Sequence, residues 1–353
     1  MFLFRQKTPP MVGLDISSTS VKLIELSRSG NSFRIESHAV EPLPLNAVTE
    51  KTIQDVEAVG ECIKRTVKKS GTRAKIAAVA VSGSAVITKV ITMPIALSDK
   101  EMETQIQLEA DQYIPYPLDE INLDFEIIGP TENNPETVDV LLAASKSENV
   151  EMRSAAVNIG GLTTKVIDVE PYTIEHSYRL LKDQLPAEVK DKSIAIIDIG
   201  ATMSSLNVIS GNQLIYTREQ PFGGKLLTEQ IMRRYGLSYE DAGRVKKIGG
   251  LPDNYEPEIL EPFKTTLAQQ VNRFIQFYFS AGDHNGIDQL MLAGGCSSIP
   301  GIDEFIEAQI GTPTSIANPF SGMPIAPKVH RQRLNADAPS LLISCGLALR
   351  GFD

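Results

Sequence analysis

Cysteine, histidine and long apolar runs are scarce in this chain of 353 residues, and each shortage closes a route. Three cysteines (Cys62, Cys296, Cys345) are odd in number and scattered, with no metal spacing. That argues against a disulfide framework or a zinc site and fits a reducing compartment. Four histidines (His38, His176, His284, His330) are equally scattered, which disfavours a histidine-based metal site. No apolar run approaches the roughly 20 residues that span a bilayer. Met1-Phe2-Leu3-Phe4-Arg5-Gln6-Lys7 is too short for a signal-peptide core and reads as a frayed terminus. Basic residues are not in excess either. The net charge of −10 argues against nucleic acid and against direct adhesion to an anionic bilayer. A cytoplasmic protein is expected. No G-x-G-x-x-G loop, G-x-S-x-G elbow or Ser–His–Asp pattern occurs. Phe222-Gly223-Gly224-Lys225 is not a Walker A loop, because Leu226 stands where a Ser or Thr must hold the metal.

What the chain does have is a motif stated twice. Gly13-Leu14-Asp15-Ile16-Ser17-Ser18-Thr19-Ser20-Val21-Lys22-Leu23 and Ile196-Ile197-Asp198-Ile199-Gly200-Ala201-Thr202-Met203-Ser204-Ser205-Leu206 share one pattern. Each is an apolar strand ending in Asp, a small-residue turn and a second apolar strand. Each runs on to a further turn, Gly30-Asn31 and Gly211-Asn212. At roughly 100–200 residues per domain, the length allows two domains. The repeat makes them alike and sets them around one cleft.

Between the hairpins the pattern is α/β. A helix is expected over 55–69, with Val56, Val59, Ile63 and Val67 at helical spacing, then a buried strand over 75–81. The region 86–164 changes rhythm and reads as an inserted α+β module. It has a strand over 86–93, a helix opened by a Ser98/Glu101 capping box and stopped at Tyr113-Ile114-Pro115, strands over 121–128 and 138–144 parted by a turn-rich stretch, and a helix over 148–159. A strand over 165–169 leads into a helix opened by Glu170-Pro171. The polar stretch 183–192 crosses to the second half. There, helices are expected over 232–247 and 257–279, the latter with Ile259, Phe263, Leu267, Val271, Phe274 and Tyr278 on one face. A buried strand over 289–293 and a closing helix over 340–350, packed back on the first domain, complete the reading.

The chemistry of the repeat is that of a phosphate clamp. Small turn residues let backbone N–H groups approach phosphate oxygens. Ser17, Ser18, Thr19 and Gly200, Ala201, Thr202 qualify. A strand-end carboxylate suits Mg²⁺, which keeps several waters and takes one or two protein oxygens, so Asp15 and Asp198 are the metal residues. A single copy would be ordinary turn chemistry; the paired copies carry the functional reading. Lys22 stands equally well on a phosphate or in solvent. Glu170 could position an attacking water, yet a helix start favours an acid in any case, and taken alone the residue supports that simpler role. Gly294-Gly295, with Ser297 and Ser298, would let a nucleoside lie on bare backbone, although glycine pairs are common in strand-to-helix turns.

In this order the motifs resemble the actin-like ATPase superfamily, which includes actin, the Hsp70 chaperones and FtsA. The Asp15 and Asp198 hairpins are similar to its two phosphate motifs. Val166-Ile167-Asp168-Val169-Glu170-Pro171 is similar to its first connecting segment, where the glutamate of Hsp70 helps place the hydrolytic water. Leu292-Ala293-Gly294-Gly295-Cys296-Ser297-Ser298 is similar to the adenosine motif. Lys246 matches a nucleoside-contacting lysine, while Gly243 stands where relatives carry a glutamate, and Ser17 replaces a usual glycine. Gly224 falls in a Pro221-Phe222-Gly223-Gly224 turn that, with Glu109-Ala110-Asp111-Gln112-Tyr113-Ile114-Pro115 and Val138-Asp139-Val140-Leu141-Leu142, resembles the PilM family of type IV pilus assembly.

The resemblance implies a bilobed actin-like ATPase fold of class α/β, two RNase H-like domains with an inserted FtsA-type 1C subdomain. It divides the chain into 1A (1–85 and 165–192), 1C (86–164), 2A (193–224 and 284–328), 2B (225–283) and a return to 1A (329–353). It implies ATP and Mg²⁺ as cofactors, with at most slow hydrolysis. It implies as partner the cytoplasmic tail of PilN, in a groove between 1A and 1C to which the 93–114 region contributes. Other inner-membrane platform proteins, the pilus motor ATPases and a second copy are further partners. FtsA ends in an amphipathic membrane helix; with none at Arg350-Gly351-Phe352-Asp353, the membrane is expected to be reached through partners alone. A filament-forming cytoskeletal ATPase and a metabolite kinase of the same superfamily are the rival readings.

Overall fold

The computed structural model of the protein describes residues 9–30, 32–132, 134–190, 192–282 and 286–353. The stretch Met1 to Lys7, Asn31 of the first downstream turn, Asn133, Asp191 and His284 lie outside them. The chain starts with β1 (Met11–Ile16), β2 (Ser20–Ser29), β3 (Ser32–Pro42), a short hairpin of β4 (Val48–Thr49) and β5 (Thr52–Ile53), α1 (Val56–Ser70) and β6 (Ile76–Val81). Then come β7 (Val86–Pro94), α2 (Asp99–Glu109), β8 (Ile121–Thr131), β9 (Asn134–Lys146), α3 (Ser147–Ile159), β10 (Thr163–Val169) and α4 (Glu170–Leu181). The second half runs β11 (Ile194–Ile199), β12 (Ser204–Ser210), β13 (Gln213–Gln220), α5 (Lys225–Tyr235), α6 (Tyr239–Ile248), α7 (Glu261–Ser280), β14 (Gln289–Ala293), α8 (Ile302–Ile310), β15 (Thr314–Ile316), α9 (Arg331–Asp337) and α10 (Leu342–Leu349).

The repeat in sequence is a repeat in topology. One five-stranded sheet has the order β3-β2-β1-β6-β10, the other β13-β12-β11-β14-β15. In each, three antiparallel strands are followed by two parallel ones. Because successive strand residues point to opposite faces, the period of two assigns each side chain to a layer. Val12, Leu14 and Ile16 face a core shared with α1 and α3, while Ala195, Ile197 and Ile199 face α7 and α8. The other faces look inward, onto α4 and α10, which lie between the sheets. Gly13 and Asp15 are on the inner face of β1; Ile194, Ile196 and Asp198 are on that of β11. Both faces of both sheets are covered, which is why β1 and β11 read as near-continuous apolar runs.

The expected face is buried throughout, from Ile259 in the π-helical turn Glu256–Leu260 that leads into α7 to Tyr278 near the end of α7, and the Ser98/Glu101 capping box forms with both of its arms. The closing helix packs on the first lobe as expected, so tightly that a Cβ on Gly13 would lie 2.0 Å from the Ser344 carbonyl oxygen.

Three expectations are corrected. The helix expected over 232–247 is two helices, α5 and α6. Gly236 takes φ 64° as the C-cap of the first, and Ser238 caps the second by accepting from the Asp241 N–H. The turn-rich stretch between 128 and 138 is not a loop, because β8 and β9 run through it. Pro130 is tolerated since β8 is an edge strand and the register slips between Ile127 and Gly129. And α3 packs with the first lobe, not with the inserted module. Gly60 of α1 meets Ile159, and Gly160 meets Ile63, each so closely that a Cβ would come within 2.4 Å. The inserted sheet, of order β7-β9-β8, is covered on one face by α2 and by Ala110 and Ile114 of the segment that follows it. Met93, Met102, Ile106 and Val140 form its core. Those buried side chains of the 93–114 region are thus unavailable for a groove.

Candidate functional site

The two inner faces bring the paired motifs together. Ser18 of the first turn and Thr202 of the second share a hydrogen bond of 2.8 Å across the lobes. Ser17 closes its own turn, its N–H and hydroxyl both donating to the Ser20 carbonyl, and the Thr19 carbonyl accepts from the Leu43 N–H. Asp15 accepts from the Lys22 ammonium at 2.8 Å. Burial works against the charge of Lys22, but Asp15, Asp198 and Glu170 outweigh it and hold the ammonium above its usual range. Burial pushes the Asp198 carboxyl up, Lys22 and Lys51 pull it down, and the charges of Asp15 and Glu219 push it up again, for a net rise. The two strand-end carboxylates therefore feel one another and share a lysine.

The second turn rests on two further glycine turns. The Gly224 N–H donates to Gly200 O at 3.0 Å and the Lys225 N–H to Ala201 O at 2.8 Å, anchoring the start of α5 to the Gly200–Thr202 turn. The fit demands bare backbone. A Cβ on Gly223 would lie 2.5 Å from Ala201 and Gly200, and one on Gly294, which has φ 84°, would lie 2.5 Å from Asp198 Oδ1. Lys246 reaches the same place from α6, donating to Gly224 O at 3.1 Å and Thr228 Oγ1 at 2.6 Å; burial lowers its ammonium. Cys296 packs against Gly224, and burial pushes its thiol up to about 11, so it is an inert neighbour. Gly295 and Ser298 are exposed beside this turn. The Ser297 hydroxyl, by contrast, is buried and donates to Ala293 O at 2.6 Å, so it holds the turn.

Glu170 is buried at the start of α4, and its carboxyl is pushed up by burial, drawn down by Lys51 and pushed up again by Asp15. Its partner, Lys51, is one the sequence did not disclose. Lys51 is the second of two turn residues between β4 and β5. Glu50 and Lys51 have φ 47° and 63°, the left-handed pair of a two-residue hairpin and a strained choice for non-glycine residues. Arg153 holds that turn by donating to Lys51 O (2.8 Å), while anchoring itself on Ala80 O (2.7 Å) and Asn149 O (3.1 Å). The Lys51 ammonium donates to Glu170 Oε2 and, at 3.4 Å, to Glu219 Oε1 of β13. Burial opposes the charge on Lys51, but Glu170 and then Glu219 override it and raise it well above the usual lysine range. The one signal in the sequence was the pair Glu50-Lys51 between Thr49 and Thr52; Arg153 and Glu219 had none.

Carboxylates (Asp15, Glu170, Asp198, Glu219) outnumber the ammonium groups (Lys22, Lys51) in this cleft, and Glu219 Oε2 is buried without a hydrogen-bond partner among the described residues. Such a site fits a divalent cation held largely through water and ligand oxygens. Among the described residues no group of three or more His, Cys, Asp or Glu forms a cage of protein ligands.

Comparison with known proteins agrees with the geometry. A family model described as type IV pilus assembly protein PilM matches residues 13–352. The solved structure titled PilM-PilN type IV pilus biogenesis complex is similar over 98% of this chain and 100% of that one, with a TM-score of 0.79 and 29% identity. The ethanolamine utilization protein EutJ from Carboxydothermus hydrogenoformans shares the fold at 15% identity, with a TM-score of 0.58 over 97% of this chain and 90% of that one. Cell division protein FtsA of Bacillus subtilis (strain 168) is 24% identical over 87% of this chain and 78% of its own length. The bilobed actin-like fold expected from the motifs is the fold observed. No helix among the described residues is long and apolar enough to cross a membrane.

Proposed function

The chain belongs to the PilM family of type IV pilus assembly proteins, and from that premise we propose that it is an ATP–Mg²⁺-binding scaffold of the pilus inner-membrane platform, held at the membrane from the cytoplasm by the tail of PilN. The observation that carries the nucleotide half is the meeting of two small-residue turns, bonded through Ser18 and Thr202, beneath carboxylates from both lobes. The backbone of Ser17 to Thr19 and Gly200 to Thr202 would take the phosphates. Asp15 and Asp198 would hold the metal's waters, Lys22 would move from Asp15 toward a phosphate, and the Gly224, Lys246, Gly294–Ser298 corner would receive the nucleoside. The metal, when bound, neutralises phosphate charge. The subdomains divide as the family resemblance implies, save that α3 is grouped with 1A.

In this reading Glu170 would orient a water for hydrolysis. Glu170→Ala should leave Mg–ATP affinity within about threefold and lower any turnover about 100-fold, the scale of a lost general base. Equal turnover in a phosphate-release assay would leave Glu170 only its role at the helix start.

The partner tail is assigned to the open face of the inserted sheet, where Val90, Leu141 and Glu126 stand in one cross-strand row. That face looks toward α4, since Thr88 bonds the Tyr172 hydroxyl and Glu126 acts on both Tyr172 and Glu175. With Asp124 and Asp139 nearby, the surface suits a tail that is apolar and basic. Fluorescence anisotropy with a labelled PilN tail should saturate, and Glu126→Lys should weaken it about tenfold, more at low salt. A linear, non-saturating signal at high protein concentration would reject this partner.

A further inference from the structure

Besides adding its charge to the cleft, Glu219 makes a contact that neither the nucleotide site nor the tail-binding face requires. It sits at the end of β13 in the second lobe, yet both groups that bind its Oε1 belong to the first: the Gly83 N–H at 3.2 Å and the Lys51 ammonium at 3.4 Å. The contact is built for close approach. A Cβ on Gly83 would fall 2.9 Å from Pro171 Cγ and 3.3 Å from Glu219 Oε1, so glycine is what admits the carboxylate to this N–H. Three residues later β7 enters the inserted sheet. At the same corner Ser145, near the end of β9, donates to Ala85 O at 3.1 Å. Both connections of the inserted sheet to the first lobe thus pass the point that Glu219 grips.

The lobes also meet behind the cleft, but through apolar packing. Ile174, Tyr178 and Leu342 lie against Ile194, Ile196 and Met291. That packing is indifferent to the charge of a ligand, whereas a buried ion pair is not: taking away one partner leaves the other charge uncompensated. A polyphosphate beside Lys51 would compete with Glu219 for its ammonium. Once Lys51 turns away, Glu219 is left as an uncompensated buried charge with the Gly83 N–H as its donor, and the negative charge of the phosphates then repels it from Gly83.

We propose that Glu219 is a latch that carries the state of the cleft to the root of the inserted sheet: paired with Lys51 it grips Gly83, and a polyphosphate that takes Lys51 releases it. The proposal rests on reading the cleft as a nucleotide site, and it shifts the lobes only as far as the ligand prefers the released arrangement.

Hydrogen exchange at the Gly83 amide, in the full chain with and without saturating Mg–ATP, reads the latch directly, with calorimetry alongside to report nucleotide binding. In the parent protein Mg–ATP should speed Gly83 exchange about tenfold while amides of α7 stay unchanged. Glu219→Gln keeps an acceptor but not the charge; it should exchange about tenfold faster without nucleotide and respond little to it. Glu219→Ala, which removes the acceptor as well, should exchange faster still. If calorimetry registers Mg–ATP and Gly83 exchange does not move, the latch is overturned. If calorimetry registers no nucleotide, the reading of the cleft fails, and the latch is judged on Glu219→Gln alone: faster exchange supports the grip on Gly83 and unchanged exchange refutes it.

Discussion

Asp198→Ala is expected to lower the affinity for Mg–ATP about 100-fold while leaving the nucleotide-free protein as stable as before, or slightly more so. The first half follows from the proposed role: a carboxylate that orients the waters of a cation is worth about 10- to 100-fold in binding, and here Asp15 is left to act alone. The second half follows from the sign of its shift. Burial, together with the nearby charge of Asp15, raises the Asp198 carboxyl above its unfolded value. A raised acid stabilises the fold only at low pH, where it is protonated, and that contribution is lost as pH rises through the folded-state value. Wherever the group is ionised it is thus a cost to the fold, borne for function. The same shift predicts that Mg–ATP binding releases a proton and tightens as pH rises through the raised folded-state value of Asp198, as the carboxylate is freed for the cation. Calorimetry in buffers of different ionisation enthalpy measures the released proton, and thermal melting without ligand measures stability. Unchanged affinity in Asp198→Ala would remove Asp198 from the metal site.

The contrast between Asp198 and Lys51 shows what the sequence could disclose. Asp15 and Asp198 were legible because each ends an apolar strand before a small-residue turn, and because the pattern occurs twice; two copies of one topology supplied their own control. Lys51 acts from a two-residue hairpin whose members have no turn-forming composition. The turn exists because Arg153, about a hundred positions away in sequence, grips its carbonyl. Glu219 lies in a strand and becomes meaningful only when β13 reaches Gly83 of the other lobe. Both are tertiary facts: Lys51 left only the Glu50-Lys51 pair as a local trace, and Glu219 left none. The split of α5 from α6 is a different kind of miss. Gly236 and Ser238 are the stop and start signals of helices, and reading 232–247 as one helix ran across both. With α3, the sequence disclosed the helix but not its neighbour: the Gly60–Ile159 and Ile63–Gly160 contacts that place it on α1 pair residues far apart in the chain.

Gly346→Ala should destabilise the protein by more than about 3 kcal/mol, although helix propensity alone predicts the opposite sign. Gly346 lies inside α10, where alanine is favoured over glycine by roughly 1 kcal/mol. A Cβ there would stand 1.9 Å from Thr173 O and 2.9 Å from Ser177 Oγ, both on α4, whose Ser177 also donates to Leu342 O at 2.6 Å. The clash is with backbone, so no rotamer relieves it and the two helices must part. Overpacking of this kind costs about 1–3 kcal/mol where the core can adjust and more where it cannot. Here α10 is also pinned from the other side, against Gly13 of β1. Separation of α10 from α4 would displace the helix that carries Glu170 and the strand that carries Asp15, so stability and cleft should fail together. A melting temperature lower by roughly 10 °C, or loss of folded protein, is expected. Gly243→Ala supplies the control, because Gly243 sits in α6 with nothing within 4 Å of its missing Cβ. There propensity is unopposed and alanine should raise stability by about 0.5–1 kcal/mol. If both substitutions shifted the melting temperature upward, the seam between α10 and α4 would be looser than these contacts require.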